Sequence, residues 1–277
     1  MRARSQSIVC LYLIVFIMGT VNSVPPQREL PYSKTTATLY YFAGRGLADQ
    51  IRWLMAYTEV SFTQRVVGTR QRFLNLKDSG QLPFGQLPML QIDGVEIVQS
   101  QAIIRYIARR ANLTGKDAKD EIACDMLAET AFDLLKLMTP FPFLRGTPAE
   151  AEQKANARKK WEEQGSRLEM YIERNTKKGK GAYLVGNSVT YADVLVAHVL
   201  TWFVEELGAD ICEGMPYLLE LQHNILQKES LQAFLRGPQY YKLGDAEYVE
   251  QVQTVLDRKT QAAPAPPSAP STETKAQ

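Results

Sequence analysis

Histidine and cysteine are scarce in this sequence. Of 277 residues, two are histidine and three are cysteine, and none stands in a CxxC or HExxH spacing. A histidine-rich metal site, a zinc ribbon and a disulfide scaffold are therefore excluded, and no metal is expected. The net charge is also small, because the 32 basic residues are nearly balanced by 30 acidic ones. The chain thus lacks the overall positive field of most nucleic-acid-binding proteins, and no nucleic-acid partner is expected.

The N-terminal apolar run is too short to span a membrane. From Ile8 to Val21 it covers 14 residues, about 21 Å as a helix, against roughly 30 Å for a bilayer core. Arginines precede it and small polar residues follow it, which is the layout of a secretory signal peptide. We therefore expect residues 1–23 to be a signal peptide and the protein to be secreted or lumenal, without a stable membrane anchor. An uncleaved anchor, a buried helix and a cytoplasmic location are the alternatives.

The C-terminal segment has few apolar side chains that a folded core could bury. Residues 259–277 are rich in proline and alanine and contain no large apolar side chain, so a disordered tail is expected. They include no KDEL-type retrieval signal, which makes export the default route. In the secretory pathway, Asn112 of Asn112-Leu113-Thr114 would be a glycosylation acceptor. Cys124 lies in an apolar helical stretch and Cys212 near a Gly-Met-Pro turn, and free thiols are favoured over a disulfide.

Between these ends, 45% hydrophobic residues predict a substantial core. The first half alternates strands and helices in the order βαβα and then ββα, with a hairpin at Asp93-Gly94. This order predicts an α/β thioredoxin-like domain over residues 36–115. From residue 116 to 258 helical spacing dominates, so an all-α domain is expected. Within it, Thr190 and Asp193 predict a capping box that starts the helix at Tyr191.

Several motifs in order resemble those of one enzyme family. They are TLYYFAGRG, LPFGQLPML, IDG, VQSQAIIRYIA and LVGNSVTYADV, and they span roughly Thr38 to Leu256. Together they look like a cytosolic-type glutathione transferase of the alpha/sigma group. The resemblance implies glutathione as co-substrate, no further cofactor, a homodimer and a small hydrophobic electrophile as second substrate.

In such enzymes the glutathione thiol must ionise. A cysteine thiol with a pKa near 8.5 is only about 3% thiolate at pH 7, and lowering the pKa by two units takes roughly 2.7 kcal/mol. A hydroxyl aimed at the sulfur from a strand end can supply much of this. The resemblance places the catalytic tyrosine at Tyr41. Tyr40 should face the opposite side of the strand, and a purely structural Tyr41 is the alternative.

The glutathione backbone needs partners too. Leu87-Pro88 pairs with an extended peptide if the bond is cis, and Gln86 lies beside it. Gln99-Ser100, at a helix N-terminus, can hold the γ-glutamyl carboxylate or simply cap the helix. Lys77 matches a position that binds the glycyl carboxylate, and an exposed solvated lysine is the alternative. Asp133 matches an acid that reaches the γ-glutamyl amine of the other subunit.

Two departures from the family pattern bear on activity. Alpha and sigma enzymes usually carry a second arginine where this chain has Leu47, which predicts a weaker shift of the thiol. Sigma sites also carry a tryptophan that is absent between Val60 and Gln86. The second substrate is expected between the domains, with the helix of Tyr248, Val252 and Val255 as a lid. The side chains expected there are Phe42, Leu47, Leu137, Met138 and Phe141.

The prediction is therefore a glutathione transferase. A sigma-type prostaglandin isomerase is one rival, which product analysis distinguishes. A weakly catalytic ligand carrier or structural relative, in the manner of lens S-crystallins, is the other rival. The feature that supports it is Leu47 in place of the usual second arginine.

Overall fold

The computed structural model describes residues 36–243 and 246–257. The predicted signal peptide and the predicted tail lie outside the described residues. Within them, no helix is both long enough and apolar enough to cross a bilayer.

Four strands form one mixed sheet in the order β2-β1-β3-β4. The strands are β1 (Ala37–Tyr41), β2 (Phe62–Val66), β3 (Met89–Ile92) and β4 (Val95–Val98). β1 runs parallel to β2 and antiparallel to β3, and β4 returns antiparallel to β3. Asp93 and Gly94 both have positive φ, 49° and 76°, as a tight hairpin of this kind requires. The predicted hairpin is therefore present.

Three helices complete the N-terminal domain. They are α1 (Asp49–Tyr57), α2 (Arg70–Asp78) and α3 (Ser100–Arg110). The order βαβα and then ββα matches the prediction from hydrophobic spacing, and the domain is thioredoxin-like. A 3-10 turn, Gly46–Ala48, leads into α1.

The remainder is helical, as predicted. The helices are α4 (Ala118–Met138), α5 (Phe141–Leu144), α6 (Ala149–Lys177), α7 (Tyr191–Leu207), α8 (Pro216–Leu226), α9 (Glu229–Arg236) and α10 (Ala246–Val255). Helices α8 and α9 were not predicted from the sequence. Pro216 occupies the first turn of α8, where its missing N–H costs no hydrogen bond, so the apparent turn there is a helix start.

Helix α7 is the centre of the helical domain. Its first turn carries the predicted capping box, in which the Asp193 carboxylate accepts from the Thr190 backbone N–H at 2.7 Å. Farther along, His198 Nε2 lies 3.0 Å from Asp49 Oδ2 of α1, and both side chains are fully buried. This pair joins the helical domain to the thioredoxin-like domain. Cys124 and Cys212 are free and buried, as expected from their surroundings.

Candidate active site

The strand register brings the predicted glutathione residues to one end of the sheet. Tyr40 of β1 pairs with Met89 of β3, and Met89 pairs with Val98 of β4. The next residue outward on each strand is therefore Tyr41, Pro88 or Gln99. The end of β1 and the two ends of the β3-β4 hairpin therefore lie side by side at this edge, which is where the motifs predicted the peptide to bind.

A cavity of about 690 Å³ opens beside this edge, which is within the usual range for small-molecule sites. Its lining includes five predicted site residues: Tyr41, Phe42, Leu47, Gln86 and Leu87. The side chains contributed by the helical domain are Thr139, Pro140, Phe143, Leu144, Tyr248, Val252 and Leu256. Among the described residues that line the cavity, none is acidic or basic. The space therefore favours an uncharged, largely apolar ligand.

Tyr41 lies at the inner wall of the cavity and is 6% exposed. Its hydroxyl oxygen accepts the Leu47 backbone N–H at 3.0 Å. Burial raises the pKa of the Tyr41 phenol, whereas the Leu47 amide, the Arg52 guanidinium and the Tyr248 hydroxyl act to lower it. The phenol is therefore protonated at neutral pH, and it can donate its hydrogen to an anion in the cavity.

Arg52 holds the turn that carries the Leu47 amide. Its Nη1 donates to the carbonyl oxygens of Gly44 and Arg45, at 2.8 and 3.1 Å. Its guanidinium carbon lies 5.7 Å from the centre of the Tyr41 ring. Asp49 balances this buried charge at 3.6 Å. Burial raises the pKa of Asp49, but the nearby His198, Arg45 and Arg52 side chains outweigh this effect and leave the pKa below its usual value.

The segment before β3 has the geometry that peptide pairing needs. The Leu87-Pro88 bond is cis, as expected, and Gln86 and Leu87 both face the cavity. Lys77 is exposed, and a Cβ on Gly85 would lie 3.4 Å from its side chain. Lys77 therefore stands at the rim, next to Gln86.

At the start of α3, the Gln99 side chain makes no capping hydrogen bond. The first amides of this helix are thus not satisfied by Gln99 and can receive a carboxylate. Ser100 follows and is buried. Neither residue lines the cavity as it stands, and both lie at the sheet edge beside it.

Two predicted residues lie away from the cavity. Asp133 is 74% exposed on α4 and pairs with Lys136 at 2.7 Å. Asn112 is exposed just beyond α3, with φ of 55°. In the single chain, Asp133 therefore contributes nothing to the cavity.

Comparison with known proteins identifies the family. The model of the glutathione S-transferase N-terminal domain matches residues 37–109, and that of the C-terminal domain matches residues 137–237. The mouse protein glutathione S-transferase A4 is 36% identical over 222 residues, which cover 79% of this chain and 96% of the mouse protein. The chain belongs to the glutathione S-transferase family.

Other relatives agree with this assignment. Rat glutathione S-transferase alpha-4 is 35% identical over 219 residues, 79% of this chain and 96% of its own length. Chicken glutathione S-transferase 3 is 37% identical over 219 residues, 79% of this chain and 93% of its own length. The solved structure of NaGST-2 superposes with a TM-score of 0.59 at 28% identity, covering 73% of this chain and 97% of that one. The predicted two-domain transferase fold is confirmed.

The second-substrate side of this transferase differs from the prediction. Met138 and Phe141 are 0% exposed and belong to the helical core, and Leu137 packs against that core. None of the three lines the cavity. Helix α4 ends at Met138 and the short helix α5 begins at Phe141, and the cavity is lined by residues of this junction and of α5 instead. The residues that take their place are Thr139, Pro140, Phe143 and Leu144.

Two features of the site were not anticipated from the sequence. Arg52 lies on an apolar helical stretch and reads as an ordinary helix residue. Tyr248 was expected as a lid residue, yet its hydroxyl also lies beside that of Tyr41, because a Cβ on Gly46 would come within 3 Å of both oxygens. The signal that points to Tyr248 is the pair of glycines in AGRG, because a turn that needs two glycines is one that other groups approach closely.

Proposed function

We propose that this glutathione S-transferase conjugates the glutathione thiolate to uncharged, apolar electrophiles, and that Tyr41 stabilises the thiolate. The observation that carries this proposal is the Leu47 amide bound to the Tyr41 oxygen at 3.0 Å. With its oxygen already accepting, Tyr41 donates its own hydrogen to the sulfur. The thiolate then forms the sulfur–carbon bond, and with an aryl halide the halide leaves.

The peptide would lie along the sheet edge. The Leu87 backbone pairs with the cysteinyl residue, and Gln86 and Lys77 face its glycyl end. Gln99 and Ser100 hold the γ-glutamyl carboxylate at the start of α3. Phe42, Leu47 and the lining residues from α5 and α10 then enclose the electrophile.

The test compares wild type with Tyr41→Phe in conjugation to a neutral aryl halide. Loss of one hydrogen bond to an anion is expected to lower kcat/KM about 10- to 100-fold, with glutathione binding retained. Tyr40→Phe is the matched control, because the Tyr40 hydroxyl donates to Gln91 at 2.9 Å on the other side of the strand. It should keep the wild-type rate.

Other outcomes point elsewhere. If wild type binds glutathione but does not turn over, the transferase proposal fails. Prostaglandin isomerisation is assayed next, and a carrier role follows if that is absent too. Equal rates in wild type and Tyr41→Phe would remove Tyr41 from the mechanism.

We further propose that the functional unit is a homodimer. Ile122 and Met126 of α4 are large apolar side chains that are 62% and 59% exposed, and Phe84 is 64% exposed. Because 122, 126 and 133 lie at helical spacings of four and seven, Asp133 shares their face of α4. Burying this face against a second copy would cover the apolar groups and carry Asp133 toward the neighbouring glutathione site.

We also propose that the protein enters the secretory pathway and is glycosylated at Asn112, which is exposed. The full chain expressed in mammalian cells should appear in the medium without residues 1–23. A glycosidase should shift its mass, and Asn112→Gln should abolish that shift. Protein retained in the cytosol with an intact N-terminus would contradict this proposal.

A further inference from the structure

One buried contact joins helix α7 to the first residue of α1. His198 Nε2 lies 3.0 Å from Asp49 Oδ2, and both side chains are 1% exposed. The rings of Trp53 and Trp202 stand nearly perpendicular to the imidazole, with centres 5.1 and 6.0 Å from its own. The imidazole is therefore fixed between two indoles with one nitrogen on the carboxylate.

The hydrogen in this contact is carried by His198. The guanidinium groups of Arg52 and Arg45 lie 3.6 and 3.9 Å from the Asp49 oxygens, which favours the ionised carboxylate. An ionised carboxylate only accepts, so His198 Nε2 is the donor. Both guanidinium groups are too distant from Asp49 for a hydrogen bond. Among the described residues, His198 is thus the one hydrogen-bond partner of the Asp49 side chain.

Asp49 in turn lies beside the arginine that holds the turn between β1 and α1. Arg52 Nη1 donates to the carbonyl oxygens of Gly44 and Arg45, at 2.8 and 3.1 Å. The same nitrogen is the one 3.6 Å from Asp49 Oδ1. Because the Arg52 side chain is 0% exposed, its charge depends on the carboxylate and not on water for compensation. A shift of the carboxylate would therefore move the guanidinium relative to the turn.

A different attachment holds the other end of this turn. The Ala43 backbone N–H donates to Gln251 Oε1 of α10 at 2.7 Å. That bond attaches the last helix to the start of the turn, whereas Arg52 holds the part closer to Leu47. The Leu47 amide then binds the Tyr41 oxygen at 3.0 Å.

We propose that His198 is a positioning residue, which fixes Asp49 so that the turn keeps its amide on the Tyr41 oxygen. This inference rests on the proposed role of Tyr41. Without the imidazole donor, the carboxylate has only its ion pairs and moves toward the Arg52 guanidinium. That movement draws Arg52 away from the turn carbonyls and loosens the Leu47 amide.

His198→Leu tests the proposal, since it removes the donor and keeps an apolar group of similar size. Hydrogen exchange of the Leu47 amide is measured in the protein without glutathione. Exchange is expected to become about three- to tenfold faster, because the hydrogen bond to Tyr41 opens more often. An unchanged exchange rate would overturn the proposal.

His198→Gln is the conservative variant. Its Nε2 is as many bonds from the backbone as that of histidine, so it can still donate to Asp49 and should restore the exchange rate to within about twofold of wild type. If His198→Gln behaves like His198→Leu, the ring and not the donor is responsible, and the proposal fails. Should His198→Leu not fold, His198→Asn replaces it, because its amide is one bond shorter and leaves Asp49 without the donor.

Leu200→Ala is the control for general loosening of α7. Leu200 is fully buried and lies two positions after His198, about 200° around the helix, so it faces away from Asp49. The variant should lower stability and leave Leu47 exchange as in wild type. Equal acceleration in Leu200→Ala and His198→Leu would overturn the proposal.

The Asp49→Asn background tests the order of the contacts. If His198 acts through Asp49, adding His198→Leu there should not accelerate Leu47 exchange further. A further acceleration of full size would mean that His198 acts by another route, which overturns the proposal.

The thiol of bound glutathione gives the functional readout. In His198→Leu its ionisation midpoint should rise by about 0.5 to 1 pH unit, and kcat below the midpoint should fall about three- to tenfold, with an unchanged KM for glutathione. Loss of stability alone would not move this midpoint, because unfolded protein has no glutathione site. A lower midpoint would mean that Asp49 takes up a proton and that the charge of Arg52 then favours the thiolate, which overturns the proposal.

The two readouts separate failure of this inference from failure of the proposed function. If Leu47 exchange responds as expected but Tyr41→Phe leaves the thiol midpoint unchanged, the proposed role of Tyr41 is what fails. If Tyr41→Phe raises the midpoint and His198→Leu leaves Leu47 exchange unchanged, the inference about His198 alone is overturned.

Discussion

Leu47 contributes to the site through its backbone and its side chain in different ways. Its amide donates to Tyr41, which any residue except proline could do. Its side chain is half-buried and lines the cavity, where related enzymes are expected to carry a cation. In this chain the Arg52 guanidinium lies over the Tyr41 ring, 5.7 Å from its centre, and Arg52 is not among the residues that line the cavity.

Leu47→Arg should therefore make the bound thiol more acidic. A guanidinium facing the cavity favours the anion, and we expect the thiol midpoint to fall by up to about one pH unit. The rate gain should be about three- to tenfold below the midpoint and vanish above it, where the thiol is already ionised. Leu47→Met, which changes shape without charge, is the control. Identical pH–rate profiles for Leu47→Arg and wild type would contradict this expectation.

At the scale of elements, the start of α7 depends on one carboxylate. Asp193 accepts the Thr190 amide and hydroxyl at 2.7 Å each and the Leu184 amide at 2.8 Å. The side chain is fully buried. Burial raises the pKa of Asp193 to about 6, and the three hydrogen bonds only partly oppose this effect.

This raised pKa predicts a defined pH dependence of stability. The folded state binds the Asp193 proton more tightly than the unfolded chain, whose value is 3.8. The stability that this tighter proton binding gives the folded state is therefore fully present below pH 3.8. It falls as the pH rises to about 6, and above that the Asp193 carboxyl adds no further pH dependence. Urea unfolding of wild type between pH 4 and 7 at fixed protein concentration measures it.

Asp193→Asn should remove that pH-dependent component. It should also lower the free energy of unfolding by about 1 to 3 kcal/mol, because the amide NH₂ cannot accept from the donors that the carboxylate satisfied. Asp210→Asn is the matched control, since Asp210 is 63% exposed and pairs only at the surface. A wild-type slope in Asp193→Asn would show that another group titrates in this range.

The order of strands and helices in the first half was predicted from the sequence, because local periodicity determines where a helix or strand lies. The hairpin at Asp93-Gly94 and the helix start at Tyr191 are where they were expected. Prediction was poorest where a local signal has two meanings. Met138 and Phe141 are as apolar as a pocket lining, and only the direction in which the chain turns between α4 and α5 assigns them to the core.

At the scale of the whole molecule, the three most exposed large apolar side chains of the described residues, Phe84, Ile122 and Met126, lie on α4 and the segment before β3. If a dimer buries these side chains, replacing them with polar ones should change the oligomeric state. Phe84→Ser combined with Met126→Ser should shift the protein from dimer to monomer in sedimentation velocity at micromolar concentration. The KM for glutathione should rise with it, since Asp133 would no longer reach a neighbouring site.

Leu219→Ser is the control for that experiment. Leu219 is also an exposed apolar residue, at 43%, but it lies on α8 and not on the α4 face. It should leave the dimer intact. A wild type that sediments as a monomer at all concentrations would refute the homodimer.

Contacts between distant parts of the chain are what the sequence predicted least. Tyr41 and the cis Leu87-Pro88 bond were anticipated because each belongs to a recognisable local motif. The contact of Tyr248 with Tyr41 was not, because it depends on how the last helix packs against the first turn. The hydrophobic spacing of the two segments does not indicate that they pack together, although Gly44 and Gly46, which leave room for the contact, can be read from the sequence.

The attachment of α10 also determines when the site is complete during protein synthesis. Ala43 and Gln251 are 208 residues apart in the chain, and a ribosome adds about 5 to 20 residues each second. The first strand is therefore exposed for roughly ten seconds or more before the last helix exists. Throughout that interval the nascent chain has Tyr41 and the Leu87-Pro88 segment but not the side of the cavity that Tyr248, Val252 and Leu256 form. A polypeptide that stalls before Ala246 would accordingly carry Tyr41 in a cavity that is open on one side.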